Sequence, residues 1–289
     1  MSVTRGQPEF VADAPLYAWA DALTESLRAG FGERVATAVV FASTTSTQDA
    51  AARMLPQGLV GVLATDRQTA GRGRPGKRWQ DDAGPDGRGL GLAMTLALPD
   101  ACVAGEGEAG DGWAGIALAS GVATAWAIES VVGTQRVGLK WPNDVLELAT
   151  DAKIAGVLIE RAPAGWLVGV GINVHHRSEE LVSIPGRCSL AAMGARCDRL
   201  TIMCGWLGAM ARAMALSRSD LLEAWRRHDC LSGRRAVVRS GGHVHEGLIE
   251  SIDPSMVLVV RTKGGLVRLP AATSTVERIE PINAPRSRR

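Results

Sequence analysis

The sequence predicts an α+β protein, with a mixed sheet flanked by helices over residues 35–228 and a small all-β unit after it. Three observations predict this. Apolar runs of strand length recur between residues 35 and 174, separated by glycine, proline and polar turns. Helical spacing is confined to a few segments, chiefly Trp113 to Val132 and Leu200 to His228. From Arg234 onward the texture changes to five short β-type runs at close spacing, which suggests a small barrel. A chain of 289 residues lies near the upper limit of a single core, which favours one large domain plus a small one.

In order along the chain, an N-terminal extension, residues 1–34, offers one helix, roughly Ala14 to Arg28, entered through Pro15 and left through Gly30. Val35 to Phe41 reads as a strand, followed by a Ser/Thr-rich cap at Ser43 to Thr47 and a short helix reaching Leu55. A strand at Leu59 to Ala64 runs into a glycine- and arginine-rich loop, Gly71 to Arg78. Leu90 to Leu98 is another strand, and Ala101 to Gly112 a loop. The helix at Trp113 to Val132 is uncharged until Glu129, but its Ala, Gly, Ser and Thr content fits close packing on a sheet better than a membrane span. Strands follow at Val137 to Lys140, Val145 to Leu148, Ile154 to Glu160 and Trp166 to Val174. The β-type runs of the second unit, residues 229–283, are Ala236 to Arg239, Val244 to Ser251, Val257 to Arg261, Leu266 to Leu269 and Thr275 to Ile279. The basic tail, residues 284–289, reads as disordered.

Composition removes several classes of function. With 32 basic and 30 acidic residues there is no global field for nucleic acid or an anionic membrane. Five cysteines without a CxxC pair suit neither a disulfide framework nor a zinc site. No basic-then-apolar signal order opens the chain, so a reducing cytoplasm is expected. His243 and His245 share a strand face without a third ligand, His175 and His176 read as loop, and Cys188 and Cys197 as structural thiols. No protein-held metal site is expected.

The segment Gly71-Arg-Gly73-Arg74-Pro-Gly76-Lys77-Arg78 matches both G-x-G-x-x-G and G-x-x-x-x-G-K. Neither motif holds. Arg78 stands where a phosphate-binding loop needs Ser or Thr, and Pro75 with two arginines is hostile to a dinucleotide turn. The composition suits an anion handled by backbone and side chains together: glycines for close approach, Arg72 and Arg74 as planar donor forks, Trp79 as an apolar lid. A solvated basic loop is the alternative on composition alone. Only four lysines occur. Lys140 sits in Lys-Trp-Pro-Asn143-Asp, a turn at a strand end, and Lys153 opens an otherwise apolar strand, where it is either a snorkelling residue or a fixed cation.

Taken together, five segments resemble the biotin protein ligase family: Ser46-Thr47-Gln48-Asp49; Gln68 to Trp79; Lys140 to Asp144; Lys153-Ile-Ala-Gly156-Val-Leu-Ile-Glu160; and Gly169-Val-Gly-Ile-Asn173. The resemblance covers about Phe41 to Ile279 and implies a class II synthetase-like catalytic domain followed by an SH3-like barrel. It implies biotin and ATP as substrates with Mg2+, biotinyl-adenylate as intermediate, and a biotin carboxyl carrier domain of acetyl-CoA carboxylase, or a similar carboxylase, as partner. By the same resemblance, Ser46, Thr47, Gln48 and Gln68 hold the ureido head of biotin, while Arg72, Gly73 and Arg74 close over carboxylate and phosphate. Lys153 and Arg74 are catalytic, Lys153 bridging carboxylate and α-phosphate oxygens, with Lys140 the next candidate. Trp79, Asn143 and Asn173 join Arg72, Arg74 and Lys153 on the ATP side; Gly156 and the Gly169 to Gly171 backbone let ligand lie on the sheet. The loop is expected to order on ligand binding, because empty arginines repel.

Some positions depart from the family. Leu90-Gly91-Leu92-Ala93 stands where a tyrosine and a serine are common, and Ala271 to Thr275 replaces a more acidic segment, so no residue there is assigned. The first 34 residues are too few for the DNA-binding domain of bifunctional members, and no DNA or membrane partner is expected. A homodimer is left open. The rival readings are a lipoate or octanoate ligase or transferase of the related fold, and a nucleic-acid-binding module using the arginine loop, which the neutral charge and few aromatics disfavour.

Overall fold

A computed structural model describes residues 12–103, 112–177, 181, 186–252 and 257–280. The basic tail, the first eleven residues and most of the 101–112 loop lie outside these.

The first element is α1 (Leu16–Phe31), capped at Pro15 and ending at Gly32 rather than Gly30. Gly32 has φ 79°, a left-handed conformation that stops the helix with little strain. Trp19, Leu23 and Leu27 are fully buried and belong to the main core. Buried Thr24 also accepts the Ala38 amide at 2.9 Å, tying the helix to the chain entering β1.

Seven strands form the main sheet: β1 (Val39–Thr44), β2 (Gly61–Gln68), β5 (Gly91–Pro99), β6 (Val137–Lys140), β7 (Asp144–Glu147), β8 (Ala152–Ala162) and β9 (Gly165–Asn173). Their spatial order is β1-β2-β5-β9-β8-β7-β6. Only β1 and β2 run parallel, so the sheet is mixed, as expected. The edge strand begins at Val39; Val35, placed in it by the sequence pattern, forms only an isolated bridge to Val60. The glycine–arginine segment is not an open loop: β3 (Gly71–Arg72) and β4 (Arg78–Trp79) pair as a short antiparallel ladder.

One face of the sheet carries α1, α3 (Gly112–Val132) and α4 (Arg199–Met214). α3 is long and apolar enough to cross a membrane, but it is a core helix here: Ile116, Leu118, Val122 and Ile128 are buried against the sheet and α4. Its small residues permit that approach, and buried Trp206 of α4 donates to Thr124 Oγ1 at 2.9 Å. The single helical stretch expected to His228 breaks into α4 and α5 (Arg218–His228), the latter capped by Ser217. On the opposite face α2 (Thr47–Met54) packs through Ala50 and Ala51 on Leu63 and Leu167.

The C-terminal strands are β10 (Arg235–Ser240), β11 (His243–Ile252), β12 (Val257–Thr262), β13 (Gly265–Pro270) and β14 (Ser274–Ile279). They form an antiparallel sheet in the order β13-β12-β11-β10-β14. No ladder joins β13 to β14 among the described residues, so the expected barrel is an open sheet at this edge. A short 3-10 turn, Ala271–Thr273, links these two strands.

Candidate functional site

The site is built on one cross-strand row. Thr65, Ala93, Gly171, Gly156, Asp144 and Lys140 are successive partners across β2, β5, β9, β8, β7 and β6. The middle of the row has almost no side chain, which leaves a hollow on the face that carries α2. The cavity there is about 450 Å3, bounded by this sheet face, α2, the β3–β4 ladder and the 3-10 turn of the C-terminal sheet. A smaller, apolar hollow of about 240 Å3, walled by Trp113, Trp141 and Trp225, opens off it beside Asn143 and Asp144.

Ser46, Thr47, Gln48 and Gln68 form the polar end. Gln68 Oε1 accepts from the Thr47 amide at 2.8 Å and from Thr47 Oγ1 at 3.2 Å, and Thr47 Oγ1 in turn accepts from Thr95 at 2.9 Å. Gln48 Nε2 donates to Leu158 O at 3.3 Å and Glu160 at 3.1 Å. Ser46 Oγ and Gln48 Oε1 are buried without a partner, which a hydrogen-bonding ligand head would supply.

Lys153 marks the cationic end, and a β-bulge puts it there. Val145 pairs with Ala155 but Leu146 pairs with Lys153, so one extra residue sits in β8. Ile154 and Ala155 therefore both enter the core, while Lys153 and Gly156 both line the cavity. Lys153 Nζ lies 2.5 Å from Asp144 Oδ1 and 5.8 Å from the Trp79 ring centroid.

Arg74 and Arg72 are both committed. Arg74 donates to Ser274 O at 2.8 Å and, in a short contact, to Ala271 O, so the C-terminal sheet holds the tip of the glycine–arginine segment. Burial lowers the guanidinium pKa, and the nearby Asp144 carboxylate opposes that. Arg72 makes a two-pronged contact with Glu160 and reaches Asp49 at 2.8 Å. The expectation that unpaired arginines leave the loop open does not match this arrangement, because each guanidinium has acceptors. Gly73 lines the cavity, and its amide bonds Lys77 O at 3.1 Å.

Gly156, Gly169 and Gly171 line the cavity, and each also lies close to a side chain of the protein itself. A Cβ on Gly156 would lie 3.0 Å from Lys153 Nζ; on Gly169, 3.1 Å from the Gln48 side chain; on Gly171, 2.5 Å from the Trp79 ring. They make room for these side chains as well, the Trp79 ring sitting over Gly171. Asn143 lines the cavity with its Nδ2 donating to Val157 O at 2.9 Å. Asn173 does not line it: buried, it donates to Lys153 O and Cys188 O and so fixes the Lys153 backbone instead of facing the ATP side.

Several supporting residues escaped the sequence reading. Arg199, fully buried, bonds Asp13, Asp66, Asp66 O and Gly91 O, joining the end of β2 to the start of β5 behind the polar end. His175 and His176 lie in the loop after β9, as expected, but are buried; His175 Nε2 lies 2.9 Å from Asp13 and His176 Nε2 3.3 Å from Asp82. Burial pushes the Asp13 carboxyl up, but the His175 hydrogen bond and the Arg199 charge outweigh it and hold Asp13 well below the usual range. Asp81 accepts the Gln68 amide at 2.7 Å and the Gly91 amide at 3.3 Å. Burial nevertheless pushes its carboxyl up to about 6.

A cavity with a hydrogen-bonding end and a fixed ammonium at the other suits a ligand with a polar head and an anionic group. Residues 40–176 match the model of the biotin/lipoate A/B protein ligase family. The chain is 35% identical over 135 residues to the biotin–[acetyl-CoA-carboxylase] ligase of Mycobacterium tuberculosis, a match that spans 46% of each chain. The ligase of the same name from Paracoccus denitrificans is 28% identical over 262 residues, covering 81% of this chain and 98% of that protein. Among solved structures, the biotin protein ligase of Aquifex aeolicus in complex with biotin and ATP shares the fold, with a TM-score of 0.65 at 22% identity over 83% of this chain and 98% of that one.

Proposed function

We propose that the protein is an ATP-dependent biotin protein ligase. In the first half-reaction a carboxylate oxygen of biotin attacks the α-phosphorus of ATP, the bond to the bridging oxygen breaks, and pyrophosphate leaves. In the second, the neutral amine of an acceptor lysine attacks the anhydride carbonyl, loses a proton, and releases AMP. The observation that carries this reading is the single cavity joining the Ser46–Thr47–Gln68 end to Lys153 and Arg74.

The polar end takes the ureido group: Gln68 fixes Thr47, and Ser46 Oγ is left to bond ligand. Lys153, held on β8 beside Asp144, meets the negative charge that grows on carboxylate and α-phosphate oxygens. Trp79 and the committed arginines keep water from the anhydride. Among the described residues no group of three or more His, Cys, Asp or Glu could hold a metal, so Mg2+ is read as arriving on the triphosphate, with Asn143 on that side.

The names of the relatives support a biotin carboxyl carrier domain of acetyl-CoA carboxylase as acceptor. The C-terminal sheet is read as the SH3-like module of such ligases, a homodimer remains within this reading, and five free thiols favour a reducing cytoplasm.

Incubation with ATP, Mg2+ and either biotin or lipoate, followed by mass spectrometry, tests the assignment. Biotinyl-adenylate should form in clear preference, because a site built to bond a ureido group discriminates against ligands that lack it. Equal or preferred adenylation of lipoate would overturn it.

A further inference from the structure

Arg72, on β3, is bracketed by two carboxylates from different elements. Its Nη1 and Nη2 reach Glu160 Oε1 and Oε2 on β8 at 3.0 and 2.8 Å. Nη2 also lies 2.8 Å from Asp49 Oδ1 on α2. Glu160 is itself steadied by Gln48 Nε2 at 3.1 Å. One guanidinium between two carboxylates gives this three-residue cluster a net negative charge, so Arg72 has no uncompensated charge to offer a substrate carboxylate or phosphate. The geometry therefore gives Arg72 a mechanical task. It fastens the first strand of the β3–β4 ladder to the catalytic sheet, while Arg74 fastens the tip to the C-terminal sheet.

We propose that Asp49 and Glu160 are positioning residues that clasp Arg72 and strap the glycine–arginine segment over the bound acyl-adenylate, so that Arg72 retains the intermediate without touching its anionic centre. This rests on the ligase reading above. The side chains of Arg72, Asp49 and Glu160 are 43%, 41% and 32% exposed, so each ion pair alone is weak and the two-pronged geometry with a shared partner sets the strength.

The test compares release of preformed biotinyl-adenylate from wild type, Arg72→Ala, the double variant Asp49→Asn with Glu160→Gln, and the triple variant. A clasp predicts that the double variant releases the adenylate about three- to tenfold faster, like Arg72→Ala, and that the triple variant is no worse than either. If Arg72 instead contacts the substrate anion, removing the carboxylates frees it: retention in the double variant tightens or stays unchanged, or the Arg72→Ala loss adds in full. Any of these overturns the clasp. Should the double variant fail to fold, Asp49→Asn alone is expected to give a smaller acceleration in the same direction, and wild-type retention overturns the clasp.

Amide hydrogen exchange of residues 71–79 without ligand separates the two readings. The clasp requires faster exchange there in the carboxylate variants whatever substrate the enzyme takes. If wild type forms no biotinyl-adenylate, the ligase reading fails, and exchange still decides whether the carboxylates hold the segment.

Discussion

Lys153 Nζ and Asp144 Oδ1 lie 2.5 Å apart on neighbouring strands, with the bare Cα of Gly156 beside them. The pairing fixes the direction of the ammonium before any substrate arrives. Preorganisation of that kind lets one charge act strongly on a developing anion, since little rearrangement accompanies the reaction.

Gly156→Ala tests that positioning. The new methyl would lie 3.0 Å from Nζ and 3.2 Å from Cε, so the flexible lysine tip must move while the backbone stays. Thermal stability should change little, and single-turnover adenylation should fall by about 10- to 100-fold, the scale of a misplacement near 1 Å. An unchanged rate would show that the tip is not held where the chemistry needs it.

Arg199→Leu probes the buried network behind the polar end. Asp13 and Asp66 would lose their shared cation, and breaking a buried pair of this kind costs about 3–5 kcal/mol. Urea unfolding at neutral pH measures it. The lowered Asp13 pKa contributes stability that is present above the unfolded value of 3.8 and lost as pH falls through the folded value, so the gap to wild type should narrow below pH 3.8. A loss under 1 kcal/mol would mean that the network does not support the fold.

Asp81 gives the opposite sign. Its folded carboxyl titrates at about 6 against 3.8 unfolded, so its contribution is full below 3.8 and is lost as pH rises through 6. Relative to Asp81→Asn, wild-type stability should fall by about 2–3 kcal/mol between pH 4 and pH 7. Parallel pH profiles of the two proteins would contradict the burial of this charge.

Sequence reasoning recovered most of the elements and the residue types that line the cavity because each motif carries its own local signal: a Ser/Thr cap at Ser46, a glycine–arginine run at Gly71, a lone lysine in an apolar strand at Lys153. It could not recover their relations. Strict alternation places Lys153 and Gly156 on opposite faces, and only the bulge opposite Val145 and Leu146 brings them to the same one. The Thr65-to-Lys140 row depends on strand register, which no single segment encodes. Backbone acceptors leave no trace in residue identity, so the Ala271 and Ser274 carbonyls that hold Arg74 were invisible, and Asn173 resembled a ligand contact although its amide is spent inside the protein.

Arg74→Ala separates holding from bond making. The guanidinium ties the tip of the segment to the C-terminal sheet, and a closing element contributes more to retaining an intermediate than to a single chemical step. Leakage of biotinyl-adenylate into solution, followed by chromatography, should rise by about tenfold or more, with a smaller loss in the rate of its formation. Tight retention by the variant would move that role to other residues.

Single-turnover formation of biotinyl-adenylate by Lys153→Ala, followed by rapid quench, bears most directly on the proposed chemistry. The variant should keep its fold and measurable biotin affinity while the rate drops by about 10²- to 10³-fold, or ~3–4 kcal/mol, the effect of removing one preorganised donor from a developing charge. Adenylate formation at the wild-type rate would contradict the assignment of Lys153 and pass the catalytic role to another cation, Lys140 first.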